Sequence, residues 1–296
     1  MIKIKILVLG GTRYFGIHMV RSLLKKGHDV TIATRGLTKD TFGENVTRIK
    51  LDRTNSESIA KALNNLKFDV ICDNLAYCSN DVKFLLDSVK TDRYIMTSSM
   101  SVYNNFHYNM SENEFDPLSH KLLWCSREDF DYDEVKRQAE CAVFQKYPNL
   151  SSVAVRFPFV IGTDDYTKRL LFYVEHVLNN IPMDINNLDQ ELGFISSNEA
   201  GDFLSWLVEQ NFNGAINGGN KGCIPIGKII SYVEKKTDKK AIISPNEESA
   251  PYNGVPSYSI NTDKASSIGY DFTDLDTWIF SLLDNLIDQV KFSNTI

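Results

Sequence analysis

The stretch Ile2-Lys3-Ile4-Lys5-Ile6-Leu7-Val8-Leu9-Gly10-Gly11-Thr12-Arg13-Tyr14-Phe15-Gly16 decides the fold. Ile2 to Leu9 is aliphatic, rich in β-branched residues and closed by glycines, which reads as a buried strand. From Phe15 to Lys26 the apolar residues Phe15, Met19, Val20, Leu23 and Leu24 keep helical spacing, and Gly27 ends the run. The glycines therefore join a strand to a helix. At such a turn the unpaired N–H groups and the dipole of the helix hold a diphosphate. Gly10 and Gly11 allow a tight turn and a close backbone approach, and Gly16 lets the helix pack against the strand. A glycine turn alone is weak evidence. Its place in a first βα turn favours dinucleotide binding over an ordinary connection.

Working outward, strands are expected at Val30–Ala33, Val46–Leu51, Asp69–Cys72, Tyr94–Thr97 and Ser152–Phe157. Helices are expected at Ser56–Leu66, Asp81–Val89 and Tyr132–Tyr147, the last stopped before Pro148. This alternation implies βαβ units, hence an α/β Rossmann-type domain with a doubly wound parallel sheet over residues 1–160. After Gly162, helical runs at 168–178, 199–209, 226–235 and 275–287 alternate with short strands and Asn/Gly/Pro turns. That pattern predicts a smaller mixed α/β substrate-binding lobe over residues 161–296, partly interleaved with the first. Residues 104–131 are polar and without period, and a stretch of that length inside a domain reads as functional.

At the end of the second strand, where an NAD site carries an acidic residue, stands Thr34-Arg35-Gly36. Arg35, with Arg13 from the glycine turn, suits a 2′-phosphate, so NADP is the expected cofactor and NAD the alternative. Asp52, ending the third strand, is positioned for the adenine amino group.

Tyr132 and Lys136 stand four apart on one predicted helix and share a face. An ammonium beside a phenol lowers its pKa and fits it for acid–base work near neutrality. The pattern alone is common, but here it follows a strand ending in Thr97-Ser98-Ser99, where parallel sheets bind ligands.

Gly10 to Gly16, Ser99-Met100-Ser101-Val102-Tyr103, Tyr132-x-x-x-Lys136 and Arg156-Phe157-Pro158-Phe159-Val160-Ile161-Gly162 occur in the order found in the extended short-chain dehydrogenase/reductases. Over nearly its whole length the chain resembles that group of nucleotide-sugar epimerases and dehydratases. The resemblance implies that Ser99 hydrogen-bonds the reacting oxygen and Tyr132 is the acid/base. It makes Lys136 the holder of the nicotinamide ribose, with Leu75 and Ala76 lying along the cofactor and Phe157, Pro158 and Val160 fixing the nicotinamide. Thr12, Tyr14 and Phe15 complete the phosphate turn. The implied chemistry is hydride transfer between the nicotinamide and a carbinol of a nucleotide-sugar or similar small molecule. Two positions depart from the epimerase pattern, with Arg13 in place of a glycine and Thr34-Arg35 in place of an acid. This form looks more like an atypical branch that includes RNA-binding relatives without turnover.

The 104–131 segment lies between Ser99 and Tyr132 and is expected to arch over the site, with His107, Tyr108, His120, Trp124 and Arg127. Tyr103, Trp124 and Arg169 are candidate substrate contacts, Arg169 for a phosphate. No histidine spacing suggests a metal. The cysteines (Cys72, Cys78, Cys125, Cys141, Cys223) include no C-x-x-C pair, which argues against a disulfide framework or zinc and for a reducing cytoplasm. No run is long enough for a transmembrane helix, and no signal peptide is expected.

The 296 residues carry 32 Lys and Arg against 38 Asp and Glu, a formal charge of −6, which makes nucleic acid an unfavoured partner. Three readings result. The first is an NAD(P)-dependent oxidoreductase or epimerase, with a homodimer possible. The second is a silent NADP-binding regulator or RNA-binding protein, and the third an isoflavone-reductase-like or isomerase-like enzyme, disfavoured by the Ser99/Tyr132/Lys136 set.

Overall fold

A computed structural model describes residues 3–293, so Ile2 of the expected first strand lies outside the described residues. In chain order come β1 (Lys5–Leu9), α1 (Phe15–Lys25), β2 (Asp29–Thr34), β3 (Thr47–Lys50), α2 (Ser56–Leu63), β4 (Lys67–Asp73), α3 (Ser79–Leu86) and β5 (Lys90–Ser99). Then follow α4 (Tyr132–Cys141), β6 (Ser151–Phe157), β7 (Phe159–Ile161), α5 (Arg169–Asn179), β8 (Glu191–Leu192), β9 (Phe194–Ser196) and α6 (Ser197–Leu207). The chain closes with β10 (Gly214–Asn217), β11 (Ile224–Pro225), α7 (Ile226–Thr237), α8 (Asp263–Ser267) and α9 (Ile279–Ser293).

Seven strands form one parallel sheet in the order β10-β6-β5-β4-β1-β2-β3. Successive strand residues point to opposite faces, and both faces are apolar. Ile6, Val8, Ile32, Cys72, Ile95, Val155 and Ile216 pack against α1 and α6. Leu7, Leu9, Ile71, Tyr94, Met96 and Ala154 pack against α2, α3 and α4. The strand order reverses between β1 and β4, which opens a crevice at their carboxyl ends, where such sheets take ligands.

The second half contributes to this layer. Its β10 pairs with β6 from Gly214↔Val153 to Asn217↔Arg156, and α6 joins α1 on one face. The remainder packs around Tyr173, Phe194, Ile229, Tyr258 and Leu283 from α5, α7, α9 and the short strands.

Four expectations need correction. The helix from Tyr132 is regular only to Cys141 and widens into a π turn over Ala142–Lys146. The helix expected at 81–89 begins earlier, with Cys78 extended before it. The helix expected from 275 starts as a 3-10 turn, because Trp278 leaves helical geometry before α9. Residues 104–131 are not structureless. Met110 bridges to Ile260, and Ser111 and Glu114 form a capping box around a 3-10 turn at Glu112–Glu114. Fully buried Arg156 is paired to Glu140 at 2.7 Å and donates to the carbonyls of Glu112 and Phe115, both at 2.9 Å. A buried guanidinium needs this many acceptors, and meeting the need ties the segment to the sheet.

Candidate functional site

The phosphate turn is set by backbone geometry. Gly10 has φ +79°, a left-handed conformation that favours glycine. A Cβ on Gly16 would lie 2.0 Å from the Gly10 carbonyl oxygen, so only glycine lets α1 start this close to β1. Tyr14 also has positive φ, 55°, a strained setting for a side-chain-bearing residue. Its hydroxyl donates to the Val160 carbonyl and its ring meets Tyr166 edge-on at 5.8 Å, which holds it there.

Over the crevice lies a cavity of about 410 Å³. Gly10, Thr12, Arg13, Tyr14 and Phe15 form one wall, Thr34, Arg35, Thr38 and Asp52 one end, and Asn74, Leu75, Tyr77 and Arg127 the other wall. Arg13 Nε donates to Thr38 Oγ1 at 3.1 Å, which points the turn's arginine toward the β2 end. Asp52 accepts from the Thr54 N–H and hydroxyl at 2.9 and 2.8 Å. Those bonds hold its carboxyl below the usual range, helped by the charges of Arg35 and Arg127. The expected cofactor residues Gly10, Thr12, Arg13, Tyr14, Phe15, Thr34, Arg35, Asp52 and Leu75 thus face one cavity. Gly11 and Gly16 shape its wall from behind. Ala76 is buried outside the cavity, and so are Phe157 and Val160. Phe157 stacks toward Phe15 at 6.0 Å, and the Val160 carbonyl takes the Tyr14 hydroxyl.

Beyond Tyr77 the three side chains expected to react come together. Ser99 ends β5 and its oxygen accepts from the Ser101 N–H at 3.1 Å. Tyr132 opens α4 and is 50% exposed, whereas Lys136, one turn on, is 3% exposed. Lys136 Nζ donates to the carbonyls of Ala76 at 2.8 Å and Thr97 at 3.0 Å. It lies 4.6 Å from the Tyr77 ring centre and 5.9 Å from that of Tyr132. Burial pushes the Lys136 pKa down to about 8, against the pull of Asp73, Asp81 and Glu140.

Lys136 Nζ stands near the Tyr132 ring while bonded to the Ala76 and Thr97 carbonyls. Enclosure in the cleft raises the Tyr132 pKa above the ordinary phenol value. The groups that draw it back are the Ser99 hydroxyl, as a hydrogen-bond partner, and the Arg169 guanidinium.

The substrate candidates fare differently. Tyr103 is 2% exposed, and its hydroxyl donates to Asn217 Oδ1 at 2.5 Å, so it is a core residue and not a substrate contact. The 3-10 turn at Met100–Val102 after Ser99 carries it inward. Trp124 is 44% exposed beside Lys83, whose Nζ is 5.9 Å from its ring, and it meets neither the cavity nor Tyr132. Arg169 does reach the site through its effect on Tyr132, but its groups are already engaged. Nη2 donates to Val160 O at 3.0 Å, Nε to Thr167 Oγ1 at 2.8 Å, and Asp165 lies 3.7 Å away. These contacts engage Nε and Nη2 of the guanidinium and do not involve Nη1.

In the arching segment His107 pairs with Glu114 and His120 with Glu134, while Arg127 reaches the cavity. Cys78 and Cys125 are buried with Val135, and burial pushes the Cys78 thiol up to about 12, far from a nucleophile. Among the described residues no His/Cys/Asp/Glu group could hold a metal, and no helix is long and apolar enough to cross a membrane. Tyr166, a candidate by its place after the Gly162 turn, does line the cavity. The sequence reading missed Tyr77 and Arg53, which also line it. Their signal was position: Tyr77 follows Leu75-Ala76, and Arg53 follows Asp52.

Fold and cavity together define a Rossmann-type sheet with a cavity at its glycine turn and a Ser/Tyr/Lys cluster beside the crevice. Residues 6–84 match the model of the NAD dependent epimerase/dehydratase family. Over this segment, which holds the glycine turn, the chain is similar to that family. Part of the chain is 33% identical, over 131 residues, to the chloroplast stem-loop binding protein of 41 kDa b of Arabidopsis thaliana, covering 39% of this chain and 35% of that one. Another stretch is 27% identical, over 99 residues, to 2'-dehydrokanamycin reductase of Streptomyces kanamyceticus, covering 33% and 28%. These matches span about a third of each relative's length. The whole fold resembles UDP-glucuronic acid 4-epimerase from Bacillus cereus, solved with UDP-glucuronic acid and NAD, at a TM-score of 0.73 and 20% identity over 97% of this chain and 99% of that one.

Proposed function

We propose that this protein is an NAD(P)-dependent oxidoreductase of the epimerase/dehydratase type, with Ser99, Tyr132 and Lys136 as its catalytic residues. The observation that carries this reading is the place of Tyr77. Its ring belongs to the wall of the cavity and lies 6.1 Å from the Tyr132 ring, so the phenol stands one ring beyond the cavity.

The residues present fit the cofactor. The turn at Gly10 and Gly16 leaves backbone room for a diphosphate, and the β2 end offers two arginines and no carboxylate of its own. Arg13 and Arg35 favour NADP, with Asp52 facing the adenine. When bound, the nicotinamide supplies or accepts the hydride. Ser99 orients the reacting oxygen by a hydrogen bond. Tyr132, a phenol and so protonated at neutral pH, gives that oxygen a proton as it is reduced. Lys136 fixes the backbone at Ala76 and Thr97 and keeps a positive charge beneath the site. The substrate is a carbonyl or carbinol of a small molecule, with nucleotide-sugars the leading class given the solved epimerases of this fold.

The experiment is NADPH oxidation across a panel of nucleotide-sugar and small-molecule carbonyls. Tyr132→Phe is expected to lower turnover at least ~100-fold and leave NADPH affinity unchanged. Full activity in that variant would reject Tyr132 as the acid/base.

One relative favours a second reading, that of a nucleic-acid-binding protein without turnover, since the chloroplast protein is named for stem-loop binding. The charge of −6 opposes it. Salt-sensitive retention of stem-loop RNA, with no NADPH consumption on the panel, would favour it over the enzyme.

A further inference from the structure

Arg127 comes from the 104–131 segment and lines the same cavity as the glycine turn. Its guanidinium is held on three sides. Nε donates to Asp81 Oδ2 at 3.0 Å, Nη2 lies 3.0 Å from the same oxygen and donates to the Leu75 carbonyl at 3.0 Å, and Cζ lies 4.5 Å from the centre of the Tyr77 ring. Asp81 in turn accepts from the Tyr77 N–H at 2.9 Å, so carboxylate, ring and arginine form one rigid unit. Nη1 makes no hydrogen bond among the described residues. The Leu75 side chain approaches the glycine turn so closely that a Cβ on Gly10 would lie 2.9 Å from Leu75 Cγ. Arg127 donates to the carbonyl of that same Leu75 and shares the cavity lining with Gly10 and Thr12 to Phe15.

We propose that Arg127 is a coenzyme-positioning residue: its guanidinium, fixed by Asp81, Leu75 and Tyr77, presents its remaining N–H groups to the diphosphate of the dinucleotide from the wall facing the first turn of α1. The proposal rests on the function proposed above and extends it, because it makes the 104–131 segment a coenzyme clamp. A guanidinium already ordered by other contacts loses little freedom on binding, so its charge-assisted hydrogen bonds add to affinity. Arg127 also ties coenzyme binding to the segment that leads into Tyr132.

The test compares two ligands. NADPH carries the diphosphate; adenosine 2′-monophosphate has the adenine end alone. Arg127→Gln is expected to weaken NADPH binding about tenfold and leave adenosine 2′-monophosphate unchanged, whereas Arg35→Gln weakens both. Arg127→Lys, which keeps the charge, is expected to recover part of the loss. If the wild type prefers NADH, the same comparison uses NADH against adenosine. Unchanged NADPH affinity in Arg127→Gln overturns the proposal. An equal loss of both ligands also overturns it, since that marks a merely structural role. A wild type that binds no nicotinamide dinucleotide refutes the underlying function instead.

Discussion

Lys136 Nζ lies 5.9 Å from the Tyr132 ring centre but gives its hydrogen bonds to the carbonyls of Ala76 and Thr97. The lysine therefore stitches α4 to the ends of β4 and β5 while sitting beneath the phenol. This has a consequence for stability. Burial lowers the folded-state pKa of Lys136 to about 8, below the ordinary lysine value near ~10.4 that it keeps when unfolded. Between those values the unfolded chain binds more protons, so this group's contribution to stability rises with pH. Urea melts of wild type and Lys136→Met from pH 7 to 10 are expected to show the wild type gaining on the variant above pH 8. A constant difference would mean that Lys136 titrates normally.

In the proposed function, cofactor choice turns on Arg35, which follows β2 and lines the cavity. Arg35→Gln is expected to weaken NADPH roughly 10- to 100-fold and to leave NADH within a factor of ~2, because only NADPH carries the 2′-phosphate. Fluorescence titration with both coenzymes checks it. Equal losses for both would place Arg35 elsewhere on the coenzyme.

Gly16 has no room for a side chain, since an added Cβ would meet the Gly10 carbonyl oxygen at 2.0 Å. Gly16→Ala is expected to lower stability by about 1–3 kcal/mol and to abolish measurable coenzyme binding by pushing α1 off β1. Denaturant unfolding and titration of the same preparation test both. Wild-type affinity in that variant would contradict the role given to the turn.

The sheet was legible because its strands are apolar on both faces and separated by helical spacing, and Ile6-Leu7-Val8-Leu9 with Gly10-Gly11 placed the crevice. Ser99, Tyr132 and Lys136 were legible as a set because they follow β5 in order. What escaped the sequence were relationships decided by tertiary packing. Tyr103 looked like a neighbour of Ser99, but one 3-10 turn points it at Asn217. The pairing of β10 with β6 joins residues about sixty positions apart, and no local pattern announces it. The order in 104–131 depends on Arg156, whose acceptors lie more than forty residues upstream at Glu112 and Phe115. Lys136 has the spacing to serve Tyr132, but the nearby carbonyls compete for its protons.

The most direct measurement is a structure of the protein with NADPH bound. The account predicts the diphosphate against the N–H groups of Thr12 to Phe15, and nicotinamide C4 close enough to Tyr132 for a reacting atom to bridge them, within about 5 Å of the hydroxyl. A coenzyme seated elsewhere, or a nicotinamide ring turned away from Tyr132 and Ser99, would contradict it.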